Sequence, residues 1–210
     1  MENLLEGLKS AVQTELASPM VDLTEEYAEI GIDKLLDNTA FREIPVVKTI
    51  VGLAKGALAI RDLVFARKLV VFFRGFHKGV HSDAELNILI ADLQSDEPKR
   101  DRIVEQVIIM NDRYLGEQKS AIHANLLLAH LRHFITWDEF NTLLSSLDNL
   151  HPMIIENLRN FKKDGAYEFP GLIGGATYLH ALPSVCLARP HGDGVKVNEL
   201  GRKFCMYGLA

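Results

Sequence analysis

Three histidines, His123, His130 and His133, are the residues of this chain best suited by type and spacing to do chemistry. Their separations of seven and three predict three imidazoles on nearly one face of a helix. Imidazoles so arranged bind zinc or iron when a carboxylate from another helix joins them, or take part in acid-base work. Seven residues of helix rise span about 10 Å, which separates His123 from the other two. His130 and His133 are therefore the candidate metal pair. The competing structural reading, histidines at a core edge or in solvent, is favoured over metal binding, and catalysis ranks below both.

The other reactive groups have fewer neighbours in sequence. His191 and Asp193 share a turn and form a conceivable proton-transfer pair, but an exposed turn excludes water poorly. Cys186 and Cys205 lack the CxxC spacing of a zinc or redox site and read as buried thiols. Neither GxxxxGK[ST] nor GxGxxG occurs, and Gly171-Leu172-Ile173-Gly174-Gly175 has no preceding strand and no following lysine. GxSxG and HExxH are absent as well. Asp112 and Arg113, in Asn111-Asp112-Arg113-Tyr114, are expected to staple a turn between helices. No catalytic residue and no cofactor is assigned.

Charge is distributed in blocks. The net charge of -5 argues against a broad nucleic-acid surface. From Glu15 to Glu43 there are eight acidic and two basic side chains, and from Pro45 to Lys78 seven basic and one acidic, so the two blocks can neutralise each other by packing. The basic block supplies Lys48, Lys55, Arg61, Lys68 and Arg74 as candidates for a membrane or partner surface. Near the C-terminus Arg189 and Lys196 are the candidates for nucleic-acid contact, with His191 beside them.

The elements that must position these residues are mostly helices. Leu4, Leu5, Leu8, Val12 and Leu16 form one stripe and predict a helix over 3–16. A second is expected over 23–36. The stretch from Pro45 to Phe76 is the most apolar, yet its seven charged side chains interrupt any bilayer span, so it reads as one long or two consecutive core helices. Gly52 and Gly56 are spaced for close approach of another helix. Ser82-x-x-Glu85 and Thr136-x-x-Glu139 have capping-box spacing, and Asp96-Glu97-Pro98 opens a further helix. Residues 118–134 form a long helical run, and His151-Pro152 begins another. Beyond Asn149, glycine and proline become frequent. A short helix over 176–181, a strand over 185–187, a turn at 189–194, a returning strand over 195–197 and an Asn198-capped helix to Leu209 are expected. The fold class is mainly α: a compact helical bundle over 1–149 and a small α+β region over 150–210 with a β-hairpin, winged-helix-like in outline.

The runs IPVVKTIVGLAKGALAIRDLVFARKLVVFF, EQKSAIHANLLLAHLRHFITWDEFNTLL and VKVNELGRKF together resemble a group of bacterial helical proteins associated with mobile elements or phage defence. The resemblance covers most of the chain, rests on hydrophobic and structural motifs, and brings no active-site residue with it. It implies a bacterial accessory or defence role.

These features point to a non-enzymatic interaction or regulatory protein acting through protein partners or as a homo-oligomer, with contact at an anionic membrane surface as an extension. A nucleic-acid-binding regulator and a small metal-dependent enzyme are the alternatives. The amphipathic acidic start is unlike a secretory signal, and a cytoplasmic or peripheral-membrane location is expected.

Overall fold

Apolar side chains repeating every three or four residues, separated by residues that cap helices, give this chain helix after helix. The computed structural model describes residues 2–18, 39–53, 59–164, 168–169, 181–191 and 194–210. The expected helix over 23–36, Lys55, Gly56, most of the expected 176–181 helix and Asp193 lie outside them. The described residues are mainly α, with a small C-terminal sheet. None of the helices among them is long and apolar enough to cross a membrane.

The contacts divide the chain into two units, Met1–Ala124 and Asn125–Ala210. In the first, helix Glu2–Ala17 buries Leu8, Val12 and Leu16. It packs on helix Pro45–Leu53, which buries Val46, Val47 and Ile50. The apolar 45–76 stretch is two helices, the second being Ile60–Gly79. Leu63, Leu69, Phe72, Phe73 and Phe76 of that helix are buried, each such side chain contributing about 1.5–3 kcal/mol when fully removed from water. Among the described residues nothing lies close to Gly52, whereas Gly75 makes a close approach: a Cβ on it would stand 3.2 Å from Cβ of Ala124.

Capping chemistry sets the helix starts. Ser82 Oγ accepts from the Glu85 amide at 3.2 Å, while the Glu85 carboxylate reaches His81 N, one residue before the expected cap amide. Asp96 Oδ1 accepts from Lys99 N at 2.9 Å ahead of helix Glu97–Arg113. In the second unit Thr136 and Glu139 form both arms of a capping box for helix Trp137–Asn149. His151 Nδ1 accepts from Met153 N at the start of helix Pro152–Asp164.

The sheet has three antiparallel strands in the order β1-β3-β2: β1 is Glu168–Phe169, β2 Ala188–His191 and β3 Gly194–Val197. The first hairpin strand thus lies three residues beyond the expected 185–187. Pro183–Val185 is a 3₁₀ turn, and Cys186, at φ 62°, takes the left-handed conformation that closes it. Ala188, Val195 and Val197 are buried on one face of the sheet.

Asn198 caps the last helix by accepting from Gly201 N at 2.8 Å. That helix stays α only to Lys203; Phe204–Gly208 is a π-helix, where a single α-helix to Leu209 was expected. Lys203 pairs with Glu139 at 2.5 Å, Ser146 Oγ donates to the Val185 carbonyl at 2.6 Å, and Asn125 Nδ2 donates to the Gly208 carbonyl at 3.1 Å. These bonds bind the C-terminal region to helices 117–131 and 137–149, so the expected boundary near Asn149 falls inside one unit.

Candidate functional site

The long helix Glu117–Leu131 carries two of the three candidate histidines, and each has a structural role. His123 is fully buried, its ring edge-on to Phe72 at 5.0 Å and to Tyr114 at 5.9 Å between centroids. Asn111 Nδ2 donates to the Val107 carbonyl at 2.7 Å and lies 3.5 Å from His123 Nδ1. An amide nitrogen can only donate, so this contact favours the tautomer with the proton on Nε2. Removal from water pushes the His123 pKa down to about 3, which keeps the ring neutral.

His130 lies in the second unit, stacked on Phe140 at 5.4 Å and tilted against Trp137 at 5.5 Å. Its Nδ1 is 3.2 Å from the Ile135 carbonyl and therefore donates. His133 is not on the helix face that the spacing predicts, because the helix has already ended. Its backbone is left-handed at φ 61°, its N–H donates to the His130 carbonyl, and the next amide, Phe134 N, donates to the Ala129 carbonyl. This is the paired bonding of a Schellman closure with histidine where glycine is usual. His130 is held in the core and His133 is exposed, which fits the favoured reading of core-edge and solvated histidines better than the candidate metal pair. Among the described residues no group of three or more His, Cys, Asp or Glu side chains is placed to hold a metal ion.

The basic candidates are dispersed. Lys48 is exposed and pairs with Glu43 at 3.3 Å. Arg61 is exposed and pairs with both carboxylate oxygens of Asp112, at 3.1 and 2.8 Å. Arg74 is half-buried. Lys68 is not a surface residue: it is 4% exposed, and its ammonium donates to the carbonyls of Asp112 at 2.9 Å and Tyr114 at 2.8 Å. A buried cation at the carbonyl end of a helix offsets the helix dipole and satisfies otherwise orphaned acceptors. Burial lowers the Lys68 pKa, with the nearby Asp112 carboxylate opposing the shift. The bonds of Asp112 run from its side chain and its backbone carbonyl to Arg61 and Lys68 of helix Ile60–Gly79, not across the turn to the following helix where the sequence suggested them.

The structure does bring Arg189 and Lys196 together, as direct partners across β2 and β3. Arg189 and His191 are exposed, Lys196 is half-buried, and Glu168 of β1 is the partner of Lys196 on its other side.

One surface feature has no counterpart among the expected sites. Phe134, 52% exposed, stacks nearly parallel on Tyr207 with centroids 5.3 Å apart, and Met206 beside it is 54% exposed. The Schellman closure fixes Phe134 and the π-helix fixes Met206 and Tyr207. The aromatic pairing is a contact between residues 73 positions apart in the chain, which local periodicity does not reveal.

Searches against protein-family models, curated proteins and solved structures gave no match to this chain.

Proposed function

We propose that this chain is a non-enzymatic interaction protein that acts through a protein partner, in the bacterial accessory role its resemblance implies. The observation that carries the reading is the Phe134–Tyr207 stack, with Phe134 exposed and exposed Met206 next to Tyr207 in sequence. Rigid aromatic side chains and methionine are enriched at interface centres, where a few residues carry most of the binding energy. His123, His130 and Lys68, the groups with the chemistry an enzyme would need, are engaged in core packing and helix closure instead.

A photoreactive amino acid placed at position 134 of the full chain tests this in producing cells. Discrete protein adducts at 134, and none from the same group at exposed Ser145, are expected. Absence of any protein adduct at 134 sinks the reading.

Nucleic-acid contact is the second reading, favoured by the register pairing of Arg189 with Lys196 on a sheet whose strand order suits a winged module. Residues 125–210 nevertheless carry eight basic and eight acidic side chains, so the unit supplies no net positive field. Duplex DNA binding at low salt that Arg189→Ala and Lys196→Ala abolish is what this reading requires.

A further inference from the structure

We infer that Asn111 and Ser120 hold one ordered water molecule inside the first unit, beside the ring of His123. This site is independent of the interaction reading above.

Both side chains are fully buried, and each leaves an oxygen without a hydrogen-bond partner among the described residues: Oδ1 of Asn111 and Oγ of Ser120. The orientation of the Asn111 amide is fixed by its other end, because Nδ2 donates to the Val107 carbonyl at 2.7 Å. Exchanging the two amide atoms would set oxygen against oxygen at that distance, so Oδ1 is the atom left over. An amide oxygen only accepts, whereas a serine hydroxyl both donates and accepts. A helical serine often turns back to the carbonyl four residues earlier, here that of Gly116, but Ser120 forms no such bond.

The two oxygens belong to neighbours of one ring. Ser120 lies three residues before His123 on helix Glu117–Leu131, a spacing that sets side chains about 5–6 Å apart at Cβ. Asn111, from helix Glu97–Arg113, comes within 3.5 Å of His123 Nδ1. A water bonded to two oxygens at about 2.8 Å each bridges up to about 5.5 Å, so one molecule reaches both where the side chains do not reach each other. Phe72 and Tyr114 set their rings edge-on to His123 at 5.0 and 5.9 Å, which leaves room only for something small.

The chemistry of the occupant follows from the same groups. An anion is unsuited to the lone pairs of Asn111 Oδ1, and among the described residues no group of three or more His, Cys, Asp or Glu side chains is placed to hold a metal cation. Water donates to the amide oxygen and still accepts from the serine hydroxyl. Buried waters bond roughly two to four polar groups that the chain leaves unmatched, and Asn111 and Ser120 supply the first two. The water joins the last turn of helix Glu97–Arg113 to the first turn of helix Glu117–Leu131.

A crystal structure of the full chain locates such a water, and magnetic relaxation dispersion of the water oxygen counts the molecules held for longer than the protein takes to tumble. The dispersion is compared between the parent chain, Ser120→Ala, which removes one oxygen and changes the volume least, and Asn111→Leu. Density for one water within hydrogen-bond distance of Asn111 Oδ1 and Ser120 Oγ is expected, together with the loss of one long-lived water from each variant. Empty density at that place, a direct bond between the two oxygens, a bond from Ser120 Oγ to the Gly116 carbonyl in place of the water, or a side chain from elsewhere in the chain bonded to either oxygen overturns the inference. So does an unchanged number of long-lived waters in Ser120→Ala. If Asn111→Leu does not fold, Ser120→Ala carries the same readout, and the crystal structure of the parent chain needs neither variant.

Discussion

Lys68 donates its ammonium to the carbonyl of Tyr114 at 2.8 Å, joining the middle of helix Ile60–Gly79 to the residue that ends helix Glu97–Arg113. The same nitrogen reaches the Asp112 carbonyl at 2.9 Å. Helix ends leave carbonyls without intrahelical partners, and here a buried side chain supplies the donor that water supplies elsewhere. Lys68→Met keeps the apolar stem and removes the donor. Leaving two acceptors unsatisfied costs about 1–3 kcal/mol, and a corresponding fall in the urea midpoint is expected. An unchanged midpoint would show that water or another donor takes over.

His133→Gly should stabilise the protein. A left-handed φ of 61° costs a residue with a Cβ roughly 1–2 kcal/mol, and glycine takes it without strain. Glycine also enlarges the freedom of the unfolded chain, which offsets part of the gain. The net expectation is about 1 kcal/mol, read as a higher melting temperature. A lower one would mean that the imidazole makes a contact worth more than the strain.

Gly201→Ala should do the reverse. A Cβ at this position would run into the Leu187 carbonyl and Cγ1 of Val197, and neither backbone nor strand can retreat easily. Asn198 N also donates to that same Leu187 carbonyl at 3.1 Å, so moving it disturbs the helix cap. Overpacking of this kind costs about 3 kcal/mol at the upper end of its usual range. Chemical denaturation of the purified variant measures it.

Acid should destabilise the fold through His123. An unfolded histidine titrates near 6.5, whereas in the folded chain burial holds His123 down to about 3. Between those values the unfolded chain binds the proton and the folded chain does not, so stability is full above pH 6.5 and falls towards pH 3. The slope from this residue alone is about 1.4 kcal/mol per pH unit. His77 is also lowered, by burial, with its bond to the Glu15 carbonyl opposing the shift, and it acts in the same direction. Glu15 acts in the opposite direction: burial raises its pKa, so stability is regained as pH falls through its folded pKa towards 4.5. Comparing denaturation midpoints of the parent chain and His123→Gln between pH 7 and pH 4 isolates the histidine. Equal slopes for the two would show that His123 does not stay neutral.

What was legible in the sequence was local. Leu8, Val12 and Leu16 repeat with helical period, and Thr136 with Glu139 spells a cap that forms as expected, because these signals depend only on neighbours a few residues apart. Lys68 was misjudged as a surface cation because its burial depends on carbonyls 44 and 46 residues away. His133 was placed on a helix face because side-chain spacing does not report where a helix stops when histidine replaces glycine at the closing position. The hairpin shifted because a 3₁₀ turn and Cys186 occupy residues whose β-branched and apolar character suggested a strand. The Phe134–Tyr207 stack was invisible for the reason that hid the Lys68 partners: it is made by tertiary contact.

The π-helix at Phe204–Gly208 has a consequence for how this C-terminus tolerates change in length. Its hydrogen bonds skip one residue more than those of an α-helix, so it holds one amino acid that an α turn would not need. Deleting that one amino acid would let the ladder close with α hydrogen bonds while the residues on either side stay in phase, so the carbonyls of Gly208 and Ala210 could remain within reach of the Asn125 amide. Removing a second residue would rotate everything beyond it by about 100°. This turn should therefore absorb one single-residue deletion far better than a second.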